Sequence, residues 1–350
     1  MTEPILTTDA TLHQAIEIIE KTRRFIAVVV GDNDELLSVI SDGDIRRAIL
    51  AGLKLDAPAQ DAMVRTPITA NADLSHEELK HFLLQNSIAA VPVVDGQGHF
   101  VRVVQIEDVN PDEATDNIAS GFDAAVIMAG GEGMRLRPMT ENLPKPMIPI
   151  GGVPLLERQV RSLSKAGIKR IYISTNYLGH LIEEHFTDGS EFGVQIEYLR
   201  EETKLGTGGA LSLLPRLPSG PILVMNGDVM TTSDFGKILA FHNEHDAFIT
   251  IGSIEYHIEV PFGVININDT RAVGLEEKPS QRFLCNAGIY AIDPKALAQV
   301  PKNTRFDMTE LIEDAIGNDQ MVTVFPIHEY WTDIGSPSDL EQARKKFEEA

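Results

Sequence analysis

Cysteine occurs once in the 350 residues, at Cys285. A single thiol excludes an internal disulfide and any cysteine-rich metal site. Its apolar neighbourhood predicts a buried structural thiol. Positive charge is also scarce: 30 Lys and Arg face 52 Asp and Glu, a formal net charge of −22. That balance argues against a nucleic-acid partner, which calls for a basic face. It leaves room for a small anionic substrate, and it makes any local group of cations informative. No apolar run reaches the roughly 18 residues that a membrane-spanning helix needs. No charged-then-apolar leader opens the sequence, so the expectation is a cytoplasmic protein without membrane contact. What is present is ordinary for a globular chain, with 43% hydrophobic and 23% charged residues. The length suits two domains better than one.

The N-terminal part repeats itself. "ATLHQAIEIIEKTR" spaces Leu12, Ile16 and Ile19 as one face of a helix. A buried strand "FIAVVV", a turn "GDNDE", a strand "LLSVIS" and a short helix "DGDIRRAIL" follow. The same order returns in "ADLSHEELKHFLLQNS", "AAVPVVD", "GQGH", "FVRVVQ" and "IEDV" about 60 residues later, a period at which repeats usually pack on each other. The polar, acidic stretch "NPDEATDNIASGF" then reads as a linker. The predicted division is a module at 1–115, a linker at 116–122 and a second domain at 123–350.

That second domain opens on "DAAVIMAGG", a buried strand ending in glycines, where α/β proteins place ligands. A dinucleotide fingerprint would enter a helix at once. Here Pro138, Pro144, Pro146 and Pro149 forbid one, because each removes an N–H and restricts its predecessor. A Walker loop fails as well, since no Gly-Lys-Ser/Thr follows. The segment must be an extended strap. Its glycines let backbone N–H groups approach phosphate, and Arg135 and Lys145 add charge that the chain otherwise spends sparingly.

Two resemblances follow from these residues. The tandem repeat resembles a pair of CBS motifs, which often bind adenine nucleotides. Their signature of Ser/Thr with an Asp three residues on is matched by Ser41 and Asp44; in the second repeat Asp108 matches, but Gln105 holds the Ser/Thr position. The alternative is that both aspartates only cap short helices. A CBS pair commonly self-associates, which implies a homo-oligomer.

"AGGEGMRLRPMTENLPKPM" resembles the signature of the sugar-1-phosphate nucleotidyltransferases. The implied fold is Rossmann-like α/β, a mixed and mainly parallel sheet with helices on both faces. The implied partners are an NTP and a sugar-1-phosphate, with Mg2+ as cofactor. Ala129, Gly130, Gly131 and Gly133 would approach phosphate, and Arg135 and Lys145 would grip the triphosphate. "ILVMNGDVM" ends a buried strand in Asn226, Gly227 and Asp228, and "YWTDIGSPSDL" carries Asp333. In the family those two aspartates ligate the metal. By the same resemblance Glu277 holds a sugar hydroxyl and Lys278 the sugar phosphate. Gly263, Asn286 and Gly288 line the sugar side.

"EETKLGTGGAL" is by resemblance the base-reading loop, with Leu205, Gly206 and Thr207 lining the base edge. Guanine offers adjacent N1–H and N2–H2 donors, which one carboxylate accepts together, whereas uracil and thymine suit an amide. Glu201 and Glu202 therefore favour GTP, a pattern like that of mannose- and heptose-phosphate guanylyltransferases. The fusion with a CBS pair is similar to the glucosamine-1-phosphate guanylyltransferases of legionaminic acid synthesis. The alternatives are uridylyl or thymidylyl transfer, and a non-catalytic nucleotide sensor.

Overall fold

The computed structural model describes residues 3–86, 88–109 and 121–348. The chain divides into two compact units, Met1–Asn117 and Ile118–Ala350. Most of the linker expected at 116–122 lies outside the described residues.

The first unit contains two similar halves. β1 (Ile5–Leu6), β2 (Ile26–Val30) and β3 (Leu36–Ser41) make one sheet; β4 (Ala70–Asn71), β5 (Ala90–Val94) and β6 (Phe100–Gln105) make the other. In each, the first pair is parallel and the second antiparallel, with a register shift at Val29/Val30 and again at Val93/Val94. The Leu12–Thr22 helix buries Leu12, Ala15, Ile16 and Ile19, the stripe its periodicity predicts. Ile26 and Val28 of one half share a small core with Ala90 and Val103 of the other. Each half therefore covers apolar surface that the other would leave wet.

The second unit is built on a seven-stranded sheet. Its strands are β7 (Ala124–Met128), β10 (Arg170–Thr175), β11 (Gln195–Arg200), β12 (Ile222–Asn226), β14 (Ile249–Glu259), β17 (Ser280–Ile292) and β18 (Val322–Pro326). β8 (Pro149–Ile150) and β9 (Val153–Pro154) form a small hairpin. β13 (Val229–Thr231) pairs with β19 (Trp331–Asp333), and β15 (Gly263–Asn268) with β16 (Arg271–Glu277). The sheet order is β11-β10-β7-β12-β17-β14-β18. β17 runs antiparallel to both its neighbours and every other adjacent pair is parallel, a mixed and mainly parallel sheet.

Alternation along the strands divides the core in two. Ala125 and Ile127 pack with the Leu155–Lys165, Gly179–Phe186 and Phe235–Glu244 helices, and Ala124 and Val126 with the Met308–Gly317 helix. Helices on both faces leave the strand ends as the place where polar groups can gather. Met128, Ser174 and Asn226 lie on one rung there.

Cys285 departs from expectation: it is half-buried. Its neighbours Phe283 and Leu284 are 44% and 42% exposed, because this part of β17 runs beyond the helices and pairs only with β14. Among the described residues, no helix is long and apolar enough to cross a membrane.

Candidate active site

The proline-rich strap contains no α-helix, as its sequence requires; it has short 3-10 turns at Met134–Leu136 and Lys145–Met147. Gly133 adopts φ 61°, and a Cβ there would stand 2.8 Å from the Lys145 Cβ and 2.9 Å from the Thr140 Cγ2. The buried Thr140 hydroxyl donates to the Gly133 carbonyl at 2.8 Å. The strap thus closes on itself and delivers Lys145 to the sheet edge. Ala129 is buried, and its N–H bonds Ser174. Gly131 faces open space, while Arg135 is exposed and has no ion pair among the described residues.

At that edge three charges meet. Lys145 Nζ lies 2.5 Å from Asp228 Oδ2 and 3.9 Å from Asp333 Oδ1. The aspartates are joined by the β13–β19 ribbon, in which Val229 pairs with Asp333 and the Ile334 N–H donates to the Asp228 carbonyl. Trp331 fastens the ribbon to β17 by donating Nε1–H to the Ala287 carbonyl at 2.9 Å. Burial, then the charge of Asp228, pushes the Asp333 carboxyl up to about 6 against the pull of Lys145. Its side chain is still 47% exposed, so repulsion from Asp228 is the cause that geometry supports more firmly.

The turn carrying Asp228 is tightly seated. The Gly227 N–H donates to the Met128 carbonyl at 2.9 Å, and a Cβ on Gly227 would come within 2.7 Å of that oxygen. The Asn226 side chain lies against Gly288, whose own N–H donates to Asn286 Oδ1. Asn226, Gly227, Asp228, Gly288, Lys145 and Asp333 are therefore one connected cluster. Two groups that the sequence did not mark hold its surroundings: Gln159 donates to the Asn226 and Val229 carbonyls, and Arg158 to the Ile150 carbonyl. The signal for Gln159 was available, since it interrupts the apolar stripe of its helix.

At the start of the strap, beside Gly130, Glu201 is half-buried while Glu202 is exposed. Glu201 Oε2 accepts the Leu205 N–H at 3.0 Å, and Oε1 would lie 2.8 Å from a Cβ placed on Gly130. Burial raises its carboxyl above the ordinary value. The Thr207 hydroxyl accepts the Met308 N–H at 2.9 Å, and the Thr207 N–H goes to Asp307. Gly206 has φ 82° and leaves no room for a side chain beside Asp307. Lys204 pairs with Glu132 of the strap at 2.5 Å, linking the two loops.

Gly263, Glu277 and Lys278 are placed apart, on the exposed β15–β16 ribbon. Gly263 pairs with Glu277, and the Lys278 N–H donates to the Phe262 carbonyl. Among the described residues, no hydrogen bond or ion pair joins these three to the Lys145 cluster.

In the first unit, Ser41 and Asp44 form a capping box: the Ser41 N–H and hydroxyl both meet Asp44 Oδ2, while Arg47 holds Oδ1. Asp108 repeats this with the Gln105 N–H at 3.0 Å, and Arg24 completes it. Gln105 thus keeps the backbone half of the motif and lacks only the hydroxyl.

A glycine strap, a lysine and paired acids at the C-terminal edge of a mainly parallel sheet define a phosphate-handling α/β transferase. The comparisons agree. Residues 124–350 match the nucleotidyl transferase family, and the chain belongs to it. Residues 1–51 and 59–110 each match the CBS domain. The chain is 32% identical over 224 residues to a mannose-1-phosphate guanylyltransferase of Mycobacterium tuberculosis, covering 62% of this chain and 62% of that protein. It is 32% identical over 227 residues to the bifunctional protein GlmU of Methanococcus aeolicus, covering 63% of this chain and 53% of that protein. The matches thus span between half and two thirds of those relatives. Among solved structures, HddC from Yersinia pseudotuberculosis, also solved with GMP-PN, matches with a TM-score of 0.51 at 27% identity, over 64% of this chain and 99% of its own.

Proposed function

We propose that the chain transfers a nucleotidyl group from an NTP, with GTP favoured, to a sugar-1-phosphate, giving an NDP-sugar and pyrophosphate. The observation that carries this reading is the Lys145–Asp228–Asp333 cluster beneath the strap. An oxygen of the sugar phosphate attacks the α-phosphorus in line, and the bond from that phosphorus to the β-phosphate bridging oxygen breaks. No general base is needed, because a phosphate monoester with a second pKa of about 6 is mostly dianionic at neutral pH. The difficulty is bringing two polyanions together, so positioning and charge do the catalytic work. Arg135 and Lys145 neutralise the triphosphate and the departing pyrophosphate. Lys278 holds the nucleophile, Glu277 a sugar hydroxyl, and the backbone near Gly263, Asn286 and Gly288 the sugar.

Asp228 and Asp333 fit a divalent cation. They are hard oxygen donors, and no group of three or more candidate ligands exists among the described residues. Two carboxylates completed by substrate phosphates and water suit Mg2+. When bound, the ion supplies charge neutralisation and a fixed template for phosphate oxygens.

Glu201, half-buried beside Gly130, supports guanine as the base; the names of the guanylyltransferase relatives support it too. The fusion with a CBS pair favours glucosamine-1-phosphate as acceptor. Ser41, Asp44 and Asp108 fit an adenine nucleotide that tunes turnover, in a cytoplasmic homo-oligomer. A matrix of NTPs against sugar-1-phosphates, read by pyrophosphate release and repeated with adenine nucleotides added, tests the whole reading. No release with any pair sinks it, and release unchanged by every adenine nucleotide removes the regulatory part.

A further inference from the structure

We infer that Gln159 is the positioning residue that sets the Asn226-Gly227-Asp228 turn for metal binding. The inference rests on the reading of Asp228 as a metal ligand.

The Leu155–Lys165 helix buries Leu155, Leu156, Gln159, Val160 and Leu163. Gln159 is the one polar member of that set, one turn from Leu155 and from Leu163, and only 4% exposed. Its Nε2 donates to the Asn226 carbonyl at 2.9 Å and to the Val229 carbonyl at 2.6 Å. Those two carbonyls bracket Gly227 and Asp228. Both N–H bonds of the carboxamide are thereby used, one on each side of the turn.

The remaining atom, Oε1, is buried without a partner among the described residues. A flipped amide would set that oxygen against two carbonyl oxygens, so donation fixes the orientation of the group. Leucine or methionine would fill the same space without burying an orphaned acceptor. What glutamine adds is the clamp.

The turn has other attachments: the Asp228 side chain meets Lys145 and the Asn226 side chain lies against Gly288, and the remaining backbone ones run to main-chain groups. The Gly227 N–H holds it to β7, and the Asp228 carbonyl holds it to Ile334. Gln159 links it to a helix instead, and it pins the peptide unit before Gly227 and the one after Val229, so that the Gly227-Asp228 segment between them keeps its path. The base-reading side hangs on other elements: Glu201 is fixed through Thr175, Asn176 and Leu205. Loss of the clamp is therefore felt at the acid pair and spares base recognition.

The test uses the full chain and titrates Mn2+ by electron paramagnetic resonance, with and without a non-hydrolysable GTP analogue. Gln159→Met and Asp228→Asn are compared with wild type, together with thermal unfolding and the KM for GTP at saturating Mn2+. Groups that orient metal ligands typically govern about 10–100-fold in affinity, and a rise of that size in the Mn2+ dissociation constant is expected for Gln159→Met, with KM for GTP near wild type. A wild-type Mn2+ midpoint in Gln159→Met, beside an Asp228→Asn variant that has lost Mn2+, overturns the clamp alone, even if Gln159→Met melts earlier. Wild-type Mn2+ binding in Asp228→Asn overturns the metal reading, and the clamp with it. Should Gln159→Met not fold, Gln159→His, which keeps an N–H for one carbonyl, carries the comparison: an intermediate midpoint supports the clamp and a wild-type midpoint overturns it.

Discussion

Asp228, in the turn that enters one strand of a short antiparallel ribbon, and Asp333, on the other strand, are fastened where the Ile334 N–H donates to the Asp228 carbonyl at 2.9 Å. Two carboxylates held together by backbone cannot drift apart to relieve their repulsion. Lys145, 2.5 Å from one and 3.9 Å from the other, offsets it. The paired acids are the feature on which the proposal of a divalent cation rests.

Asp228→Asn is expected to fold and to lose metal-dependent pyrophosphate release by about 10²–10³-fold, the range for removing one electrostatic stabiliser. Asp333→Asn should act in the same direction. Circular dichroism with a pyrophosphate assay checks both, and full turnover in either variant removes it from the proposed metal site.

The raised carboxyl of Asp333 predicts a pH dependence. With its value near 6, the group binds a proton across the interval from the ordinary carboxylate range up to about 6, and the cation must displace that proton. Apparent Mg2+ affinity should therefore fall as pH drops from 7.5 to 5.5. In the metal-free protein the linkage runs the other way: the native state binds more protons than the unfolded chain, so this group's contribution to stability is lost as pH rises from about 4 to about 6. Calorimetric Mg2+ titrations and unfolding midpoints at several pH values measure the two arms. An affinity flat across that range counts against the assignment.

Glu201→Gln should shift base preference. An amide presents a donor where guanine N1–H and N2–H2 need an acceptor, so kcat/KM for GTP should fall about tenfold or more, since a buried polar mismatch typically costs 1–3 kcal/mol. Values for UTP and dTTP should hold or rise. Equal losses for all three would mean that Glu201 only braces Leu205.

Two glycines should respond differently to alanine. At Gly227 a Cβ meets the Met128 carbonyl oxygen at 2.7 Å, a backbone atom that cannot step aside. Gly227→Ala should destabilise by about 1–3 kcal/mol, the usual cost of overpacking. At Gly131 a Cβ meets nothing within 4 Å, so Gly131→Ala should melt like wild type. If the strap cradles the triphosphate, its KM for the NTP rises all the same. Thermal melts beside NTP kinetics separate the two effects.

Much of this was legible in local chemistry. "DGDIRRAIL" is helical from Asp42 to Leu50 because Ser41 and Asp44 cap it reciprocally. The strap is free of α-helix because its prolines leave no alternative. What escaped depends on which distant groups meet. Glu201 could be picked out as an acid near the base loop, but not as one already shared with the Leu205 N–H. The Thr207 hydroxyl is engaged by Met308, a partner from the far end of the domain. Cys285 sits in a run that looks like core, yet the helices that would cover it stop short. Gln159 looks like a flaw in an apolar stripe until the carbonyls facing that stripe are known.

The β13–β19 ribbon also sets a schedule for the growing chain. The strap, Lys145 and Asp228 all leave the ribosome well before β19. A nascent or prematurely stopped chain that ends ahead of Trp331 carries Asp228 and Lys145 with no second acid between which to balance the ammonium. The paired carboxylates come into being only once β19 has been made, so a chain stopped short of it carries half of the charge centre.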